Sequence, residues 1–210
     1  MVADDWKSLL SRLNSIMLAT ERWRIELSNE ALSSGWCGQE PATDQEIRLA
    51  EERLGVSLPP TYRSFLKCSN GWRPFSSFIE RIFPTHEFER FRIANPELLA
   101  DIQRYYQEDE VTDAEYLDFE NPDRIHALRH RYYADSIVLG TGWNWGNEVI
   151  LLNPHVVSGD GEWEAIFFAN WVPGNVRFRS FLKLVEYSVN SLERIEASRS
   201  LEGGGTKSEA

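Results

Sequence analysis

The sequence has little cysteine and no long apolar run. Its 210 residues include two cysteines, Cys37 and Cys68, fewer than the disulfide framework of a small secreted domain needs, so we expect both thiols to be reduced. No stretch reaches the roughly 20 continuous apolar residues that a membrane-spanning helix requires. Asp4 and Asp5 precede the first apolar residues, unlike the basic start of a secretory signal. These absences predict a cytoplasmic protein with no membrane partner.

Basic charge is also scarce. Lysine and arginine total 22 against 33 aspartates and glutamates, which gives a formal net charge of −11. This balance argues against a nucleic-acid partner, because phosphate contacts need an excess of cationic side chains. It is compatible with a basic protein partner whose approach would be electrostatically steered. Simple solubility explains the same charge equally well.

The patterns typical of metal and phosphate sites are missing. His126 and His130 have the spacing of two zinc ligands on a helix, but the glutamate of the zinc-protease pattern and a third ligand are absent. The glycines of the segment 140–146 do not have the spacing of the phosphate-binding loop motif. The acidic run lacks the residue pattern of a calcium-binding loop. We therefore expect no metal, no cofactor and no catalytic residue.

Residues 43–72 carry the clearest local structure signals. Thr43 and Glu46 form a capping box that predicts a helix start, and Gly55 can end that helix in the left-handed conformation. Pro59 and Pro60 can open a second helix, since a proline in the first turn loses no hydrogen bond. Two consecutive helices are predicted here.

The remaining patterns place helices around a set of strands. Residues 1–34 are predicted to form an N-terminal helical extension, residues 35–198 the main domain, and residues 199–210 a disordered tail because of the three consecutive glycines. A helix is expected from Asn95–Pro96 to about Gln107, and a final helix from Ser180. Short β-rich runs predict strands at 78–83, 136–139, 148–152 and 162–168, the last two joined by a glycine-rich hairpin.

An acidic insertion near 97–123 holds most of the excess charge. It has ten acidic residues against one arginine, Arg104, with aromatic residues between them. Two interpretations stay open: a solvated mobile loop, or an acidic face with aromatic anchors for a basic partner. Two tryptophans in the later glycine-rich turn either pack on helices or stay exposed for binding. The candidate partner-binding residues are Tyr106, Glu108, Asp109, Glu110, Asp113, Glu115, Tyr116, Asp118, Trp143 and Trp145.

The order of motif residues resembles the SUKH superfamily, which is named for Syd, a herpesviral group and the yeast Smi-Knr regulators. The residues that carry the resemblance are Glu46, Ile47, Glu51, Leu54, Gly55, Leu58, Pro59, Tyr62, Phe65, Leu66, Asn70 and Gly71. The glycine-containing turn Gly142 to Asn147 agrees with it, and Trp171, Phe178, Ser180, Phe181 and Leu184 resemble the start of the family's closing helix. The resemblance implies an α+β fold with helices on one face of a mostly antiparallel sheet of about four to six strands.

The same resemblance implies a protein that binds other proteins. Most bacterial members are thought to be immunity proteins that block a cognate toxin, often a nuclease. The leading hypothesis is therefore a non-enzymatic immunity protein with a basic toxin as its partner. A regulatory scaffold like the yeast branch is the second hypothesis. An enzyme acting on a small molecule or glycan is the third, and would require a polar pocket with convergent carboxylates.

Overall fold

The computed structural model describes residues 2–122, 125–143, 148–171 and 175–203. Its helices are α1 Val2–Ala19, α2 Glu21–Arg24, α3 Asn29–Ser34, α4 Asp44–Leu54, α5 Pro60–Leu66, α6 Phe91–Ala94, α7 Pro96–Tyr105, α8 Asp113–Tyr116 and α9 Phe181–Gly203. Its strands are β1 Ile79–Ile82, β2 Glu89–Arg90, β3 Ile137–Gly142, β4 Glu148–Val157, β5 Trp163–Ala169 and β6 Asn175–Phe178. Short 3-10 helices lie at Thr85–Glu87 and His130–Asp135.

The two helices predicted between residues 43 and 72 form as their local signals require. The Thr43 hydroxyl accepts a hydrogen bond from the Glu46 amide, and the Glu46 carboxylate accepts one from the Thr43 amide at 2.7 Å. Gly55 ends α4 at φ 66°, a left-handed conformation that side chains disfavour. Pro60 occupies the first turn of α5. The apolar stripes of both helices are buried in the main core.

The strands form one antiparallel sheet in the order β1-β3-β4-β5-β6, with β2 also paired to β3. Successive side chains of a strand point to opposite faces, and β4 shows this directly. Ile150 and Leu152 belong to one apolar cluster, whereas Val149 and Leu151 belong to another. The predicted α+β class and antiparallel sheet are confirmed.

Helices cover both faces of this sheet. The larger core lies between one face and α1, α4, α5 and α9, which is the helical layer that the resemblance implied. A smaller core lies on the opposite face, where Phe91, Leu99, Ile102 and Tyr133 pack on the strands. These residues come from α6, α7 and the second 3-10 helix. The segment that carries the acidic insertion is therefore a second structural layer.

The N-terminal helix shares the main core of the domain. The Trp6 indole donates a hydrogen bond to the Thr61 carbonyl at 2.9 Å, and its ring centroid lies 5.2 Å from that of Phe65 and 5.9 Å from that of Phe181. Helix α1 thus covers α5 and α9. At the other end of the chain, α9 continues to Gly203, so only residues 204–210 of the predicted tail lie outside the described residues.

Candidate functional site

The acidic segment, defined here as residues 97–122, is fixed to the sheet by a buried polar cluster. The Glu164 carboxylate of β5 accepts hydrogen bonds from Arg177 at 2.5 Å, Asn153 at 2.7 Å and Tyr116 at 3.3 Å. The Arg177 guanidinium lies 3.3 Å from the centroid of the Tyr116 ring and also donates to the Tyr116 carbonyl. Burial raises the pKa of Glu164, an effect that the Arg177 charge opposes.

Tyr116 is therefore not an anchor for a partner. The sequence suggested an exposed aromatic residue among acids, but the side chain is 1% exposed. Burial raises the pKa of its phenol, and the nearby Glu164 carboxylate adds to the effect. The prediction was wrong because the ring packs beneath Arg177 and Arg129, two cations whose positions depend on distant parts of the chain.

Three of the predicted acidic residues hold the acidic segment to residues 128–131. Glu108 accepts from the Arg131 backbone and side chain at 2.6 and 2.9 Å. Asp109 accepts from the Leu128 amide at 2.7 Å, and Asp113 pairs with the nearly buried Arg129 at 2.7 Å. These carboxylates serve the fold, so part of the negative charge is neutralised within the molecule.

Other carboxylates of the acidic segment remain at the surface. Glu115 closes a capping box with Thr112 at the start of α8. Exposed acids lie along α7 and around α8, and the one cationic residue among 97–122 is Arg104. Asp109 and Asp113 are exposed as well but contact residues 128–129. The other exposed acids, called the acidic surface below, are Glu97, Asp101, Glu110, Asp118 and Glu120. Glu110 and Asp118 were among the predicted partner-binding residues, and that role stays a prediction.

An apolar groove of about 350 Å³, here called the aromatic groove, lies between α9 and the sheet. No local sequence pattern indicates this groove, because its walls come from β1, β4, β5, β6 and α9. Several of its large side chains are unusually exposed: Phe78 is 50%, Trp171 51% and Tyr187 54% exposed. The lining residues used below are Phe78, Phe167, Trp171, Phe178, Tyr187 and Ile195.

Glu148 lies at the edge of this groove. It occupies the first position of β4, on the same face as the groove residue Ile150, and is 7% exposed. Its Oε1 accepts a hydrogen bond from the Trp171 indole at 2.9 Å. Its Oε2 is buried and has no hydrogen-bond partner among the described residues. A buried carboxylate normally has its charge or its oxygens compensated, so this oxygen requires an explanation.

One contact joins the end of α7, in the acidic segment, to the turn beside the aromatic groove. The Tyr106 hydroxyl donates a hydrogen bond to the Asn170 carbonyl at 3.0 Å, and Trp171 is the next residue in the chain. Tyr106 is half-buried and also packs on Phe168. This predicted anchor therefore lies where the end of α7 meets the turn that carries Trp171.

The two tryptophans of the glycine-rich turn differ in what the structure describes. Trp143 is half-buried, donates from its indole to the Ser76 carbonyl at 3.1 Å, and stacks loosely on Trp23 at 6.5 Å between centroids. It therefore packs on α2, the first of the two alternatives. Trp145 lies outside the described residues.

Neither cysteine has the surroundings of a nucleophile. Burial raises the pKa of Cys37 to about 11 and also raises that of Cys68, which disfavours the reactive thiolate. Within the described ranges, no three His, Cys, Asp or Glu side chains come close enough together to hold a metal ion. The described helices include none that is long and apolar enough to cross a membrane.

The fold and these surfaces define a class of α+β proteins with one antiparallel sheet between two helical layers. The model of the SMI1 / KNR4 family (SUKH-1) matches residues 41–186, and the chain belongs to this family. The resemblance seen in the sequence is therefore confirmed. A search of curated proteins finds no match to the chain. Family membership is consistent with an immunity protein or with a Smi-Knr-like scaffold, and it implies protein partners in general.

Proposed function

We propose that this chain is a non-enzymatic immunity protein that binds and neutralises a basic toxin of the nuclease type. The observation that carries the proposal is the acidic surface: five exposed carboxylates on a segment that is fixed to the sheet by the Glu164–Arg177 cluster. Membership in a family with protein-binding members supports it. The aromatic groove does not favour an enzyme, because its lining is apolar and its described residues include no convergent carboxylates.

The proposed inhibition of the toxin is electrostatic. A nuclease contacts phosphates with lysine and arginine side chains, and the acidic surface offers carboxylates to the same cations. Because the segment is held in place, little ordering entropy is lost on binding. Exposed rim charges act mainly on the association rate and its salt dependence. The toxin would be blocked because its phosphate-binding surface is covered.

The test is a kinetic binding titration against the protein encoded by the adjacent gene, at low and high salt. The variant carries Glu97→Gln, Asp101→Asn, Glu110→Gln and Glu120→Gln, which avoids the acids that hold the fold together. We expect association at low salt to slow by roughly tenfold, since steering changes on-rates by about 10–10³. The difference should nearly vanish at high salt.

A matched control removes the same number of charges elsewhere. Asp5→Asn, Glu30→Gln, Glu40→Gln and Glu52→Gln also change one exposed aspartate and three exposed glutamates, on the N-terminal part of the chain. The proposal is overturned if both variants slow association equally. It is also overturned if the folded wild-type protein neither binds the neighbour nor protects cells that express it.

The Smi-Knr-like regulatory scaffold is the second candidate, because the family model that matches the chain includes that branch. It predicts endogenous partners and a neighbouring gene product that is harmless to cells. Co-expression with the neighbour therefore separates the two candidates: protection supports the immunity protein, whereas no toxicity and no binding supports the scaffold.

A further inference from the structure

We propose that the aromatic groove receives an arginine side chain of the partner protein. Its guanidinium would lie against Trp171 and Phe78, with its charge directed at Glu148. This inference rests on the proposed function, since it adds a specific contact to the same partner. It concerns a different part of the surface from the acidic surface, so it can fail independently.

The rings at the mouth of the groove form a surface suited to a flat cation. The centroids of Phe78 and Trp171 lie 4.8 Å apart at 48°, and Phe167 lies 6.2 and 6.4 Å from these two rings. Phe78 and Trp171 are each half exposed. A guanidinium stacks on aromatic faces, and its aliphatic stem can pack along apolar walls. The groove therefore matches both parts of an arginine side chain.

Glu148 supplies the charge that makes the groove selective for a cation. Its Oε1 is held by the Trp171 indole, a neutral donor, and no described residue bonds to its Oε2. The carboxylate fits because residue 142 is glycine: a Cβ there would collide with Oε2 and lie 2.8 Å from the Phe78 carbonyl. A carboxylate in surroundings of low polarity attracts a cation more strongly than it would in water.

The net charge favours a basic protein over a second copy of this chain. Two copies would each carry a net charge of −11, which opposes self-association. The elements that carry the acidic surface and those that line the groove pack on opposite faces of the sheet. The arginine in the groove is therefore a separate contact of the basic partner, in addition to those with the acidic surface.

The experiment is an NMR titration of the intact protein with the capped peptide acetyl-Gly-Arg-Gly-amide. The readout is the indole N–H signal of Trp171, assigned by its loss in Trp171→Phe. We expect this signal to shift with a Kd on the order of 1–10 mM, as for a single side-chain contact. The same peptide with citrulline, which is isosteric but neutral, should shift it much less. No shift with the arginine peptide, or an equal shift with citrulline, would overturn the inference.

Two single substitutions test whether Glu148 and Phe78 bind the arginine peptide. Glu148→Gln keeps an acceptor for the Trp171 indole but removes the negative charge. It should raise the Kd of the arginine peptide by about tenfold, as expected for the loss of one charged partner. Phe78→Ser removes an exposed ring and should also weaken binding. Ile25→Ser is the matched control, because Ile25 is exposed at 77% and lies outside the groove. Wild-type affinity in both groove variants would contradict the inference.

The remaining outcomes separate this inference from the proposed function. If the adjacent gene product binds normally to Phe78→Ser and Glu148→Gln, the groove inference fails and the immunity proposal stands. If the arginine peptide binds as expected but the adjacent gene product does not bind, the groove inference stands and the immunity proposal fails. A lysine peptide that shifts Trp171 more than the arginine peptide would overturn the choice of arginine. A concentration-dependent dimer abolished by Phe78→Ser would show that a second copy fills the groove.

Discussion

Among single residues, Glu164 and Arg177 form the buried ion pair that holds Tyr116 of the acidic segment to the sheet. Both side chains are fully buried, and the pair also holds Tyr116 and Asn153. Removing one partner of a buried pair leaves the other charge uncompensated in surroundings of low polarity. The pair therefore couples the stability of the fold to the position of the acidic segment.

Glu164→Gln should lower the free energy of unfolding by about 3–5 kcal/mol, because it removes the charge of one partner of a fully buried ion pair. Urea-induced unfolding followed by circular dichroism measures this loss. Glu186→Gln removes the exposed pair with Lys183 and should cost about 1 kcal/mol or less. Equal losses in the two variants would show that the buried pair has no special role.

At the scale of elements, α1 is part of the core although it precedes the residues that match the family model. Trp6 is completely buried between α5 and α9 and donates a hydrogen bond to Thr61. Leu9, Leu10 and Leu13 lie in the same cluster. The helix thus closes the main core instead of forming an independent extension.

Trp6→Ala should lower the free energy of unfolding by roughly 3–5 kcal/mol, the range for a large aromatic residue replaced by alanine in a core. Thermal unfolding of the two proteins measures the loss. Lys7→Ala changes the exposed neighbour on the same helix and should have little effect. A melting temperature unchanged by Trp6→Ala would mean that α1 does not contribute to the core in solution.

At the scale of the whole molecule, the two surfaces are expected to affect different steps of binding. In the proposed complex the acidic surface would guide the approach of a basic partner, and the aromatic groove would hold it after contact. The groove is built on β1, β4, β5, β6 and α9, and the acidic surface on α7 and the region around α8. The two surfaces are made by different elements, so substitutions in them should act independently.

The prediction is that the four-acid variant slows association, that Phe78→Ser speeds dissociation, and that the combined variant shows the product of both effects. Independent sites give additive free energies to within about 0.5 kcal/mol. Surface plasmon resonance with the adjacent gene product measures both rates. A combined effect equal to the larger single effect would indicate that the two surfaces form one coupled site.

Much of the local structure could be predicted from short-range patterns. The capping box at Thr43, the stop at Gly55 and the hairpin around Gly159 depend on neighbouring residues, and the structure contains them. Two short strands, β2 and β6, were not predicted. Two and four residues are too few for an alternating pattern to indicate a strand, and Phe178, assigned to the start of the last helix, lies in β6. These strands form only because neighbouring strands offer them partners.

The long helices, most strands, the family resemblance and the excess of negative charge could be predicted from the sequence, because these properties depend on residue type and near neighbours. The short helices α6 and α8 were not predicted. The tertiary structure decided which acids hold the fold and which face solvent, and it buried Tyr116 under Arg177. It also brought Phe78, Glu148 and Trp171 together from distant positions. Burial and pairing depend on which surfaces of the chain meet, and those contacts join residues far apart in sequence.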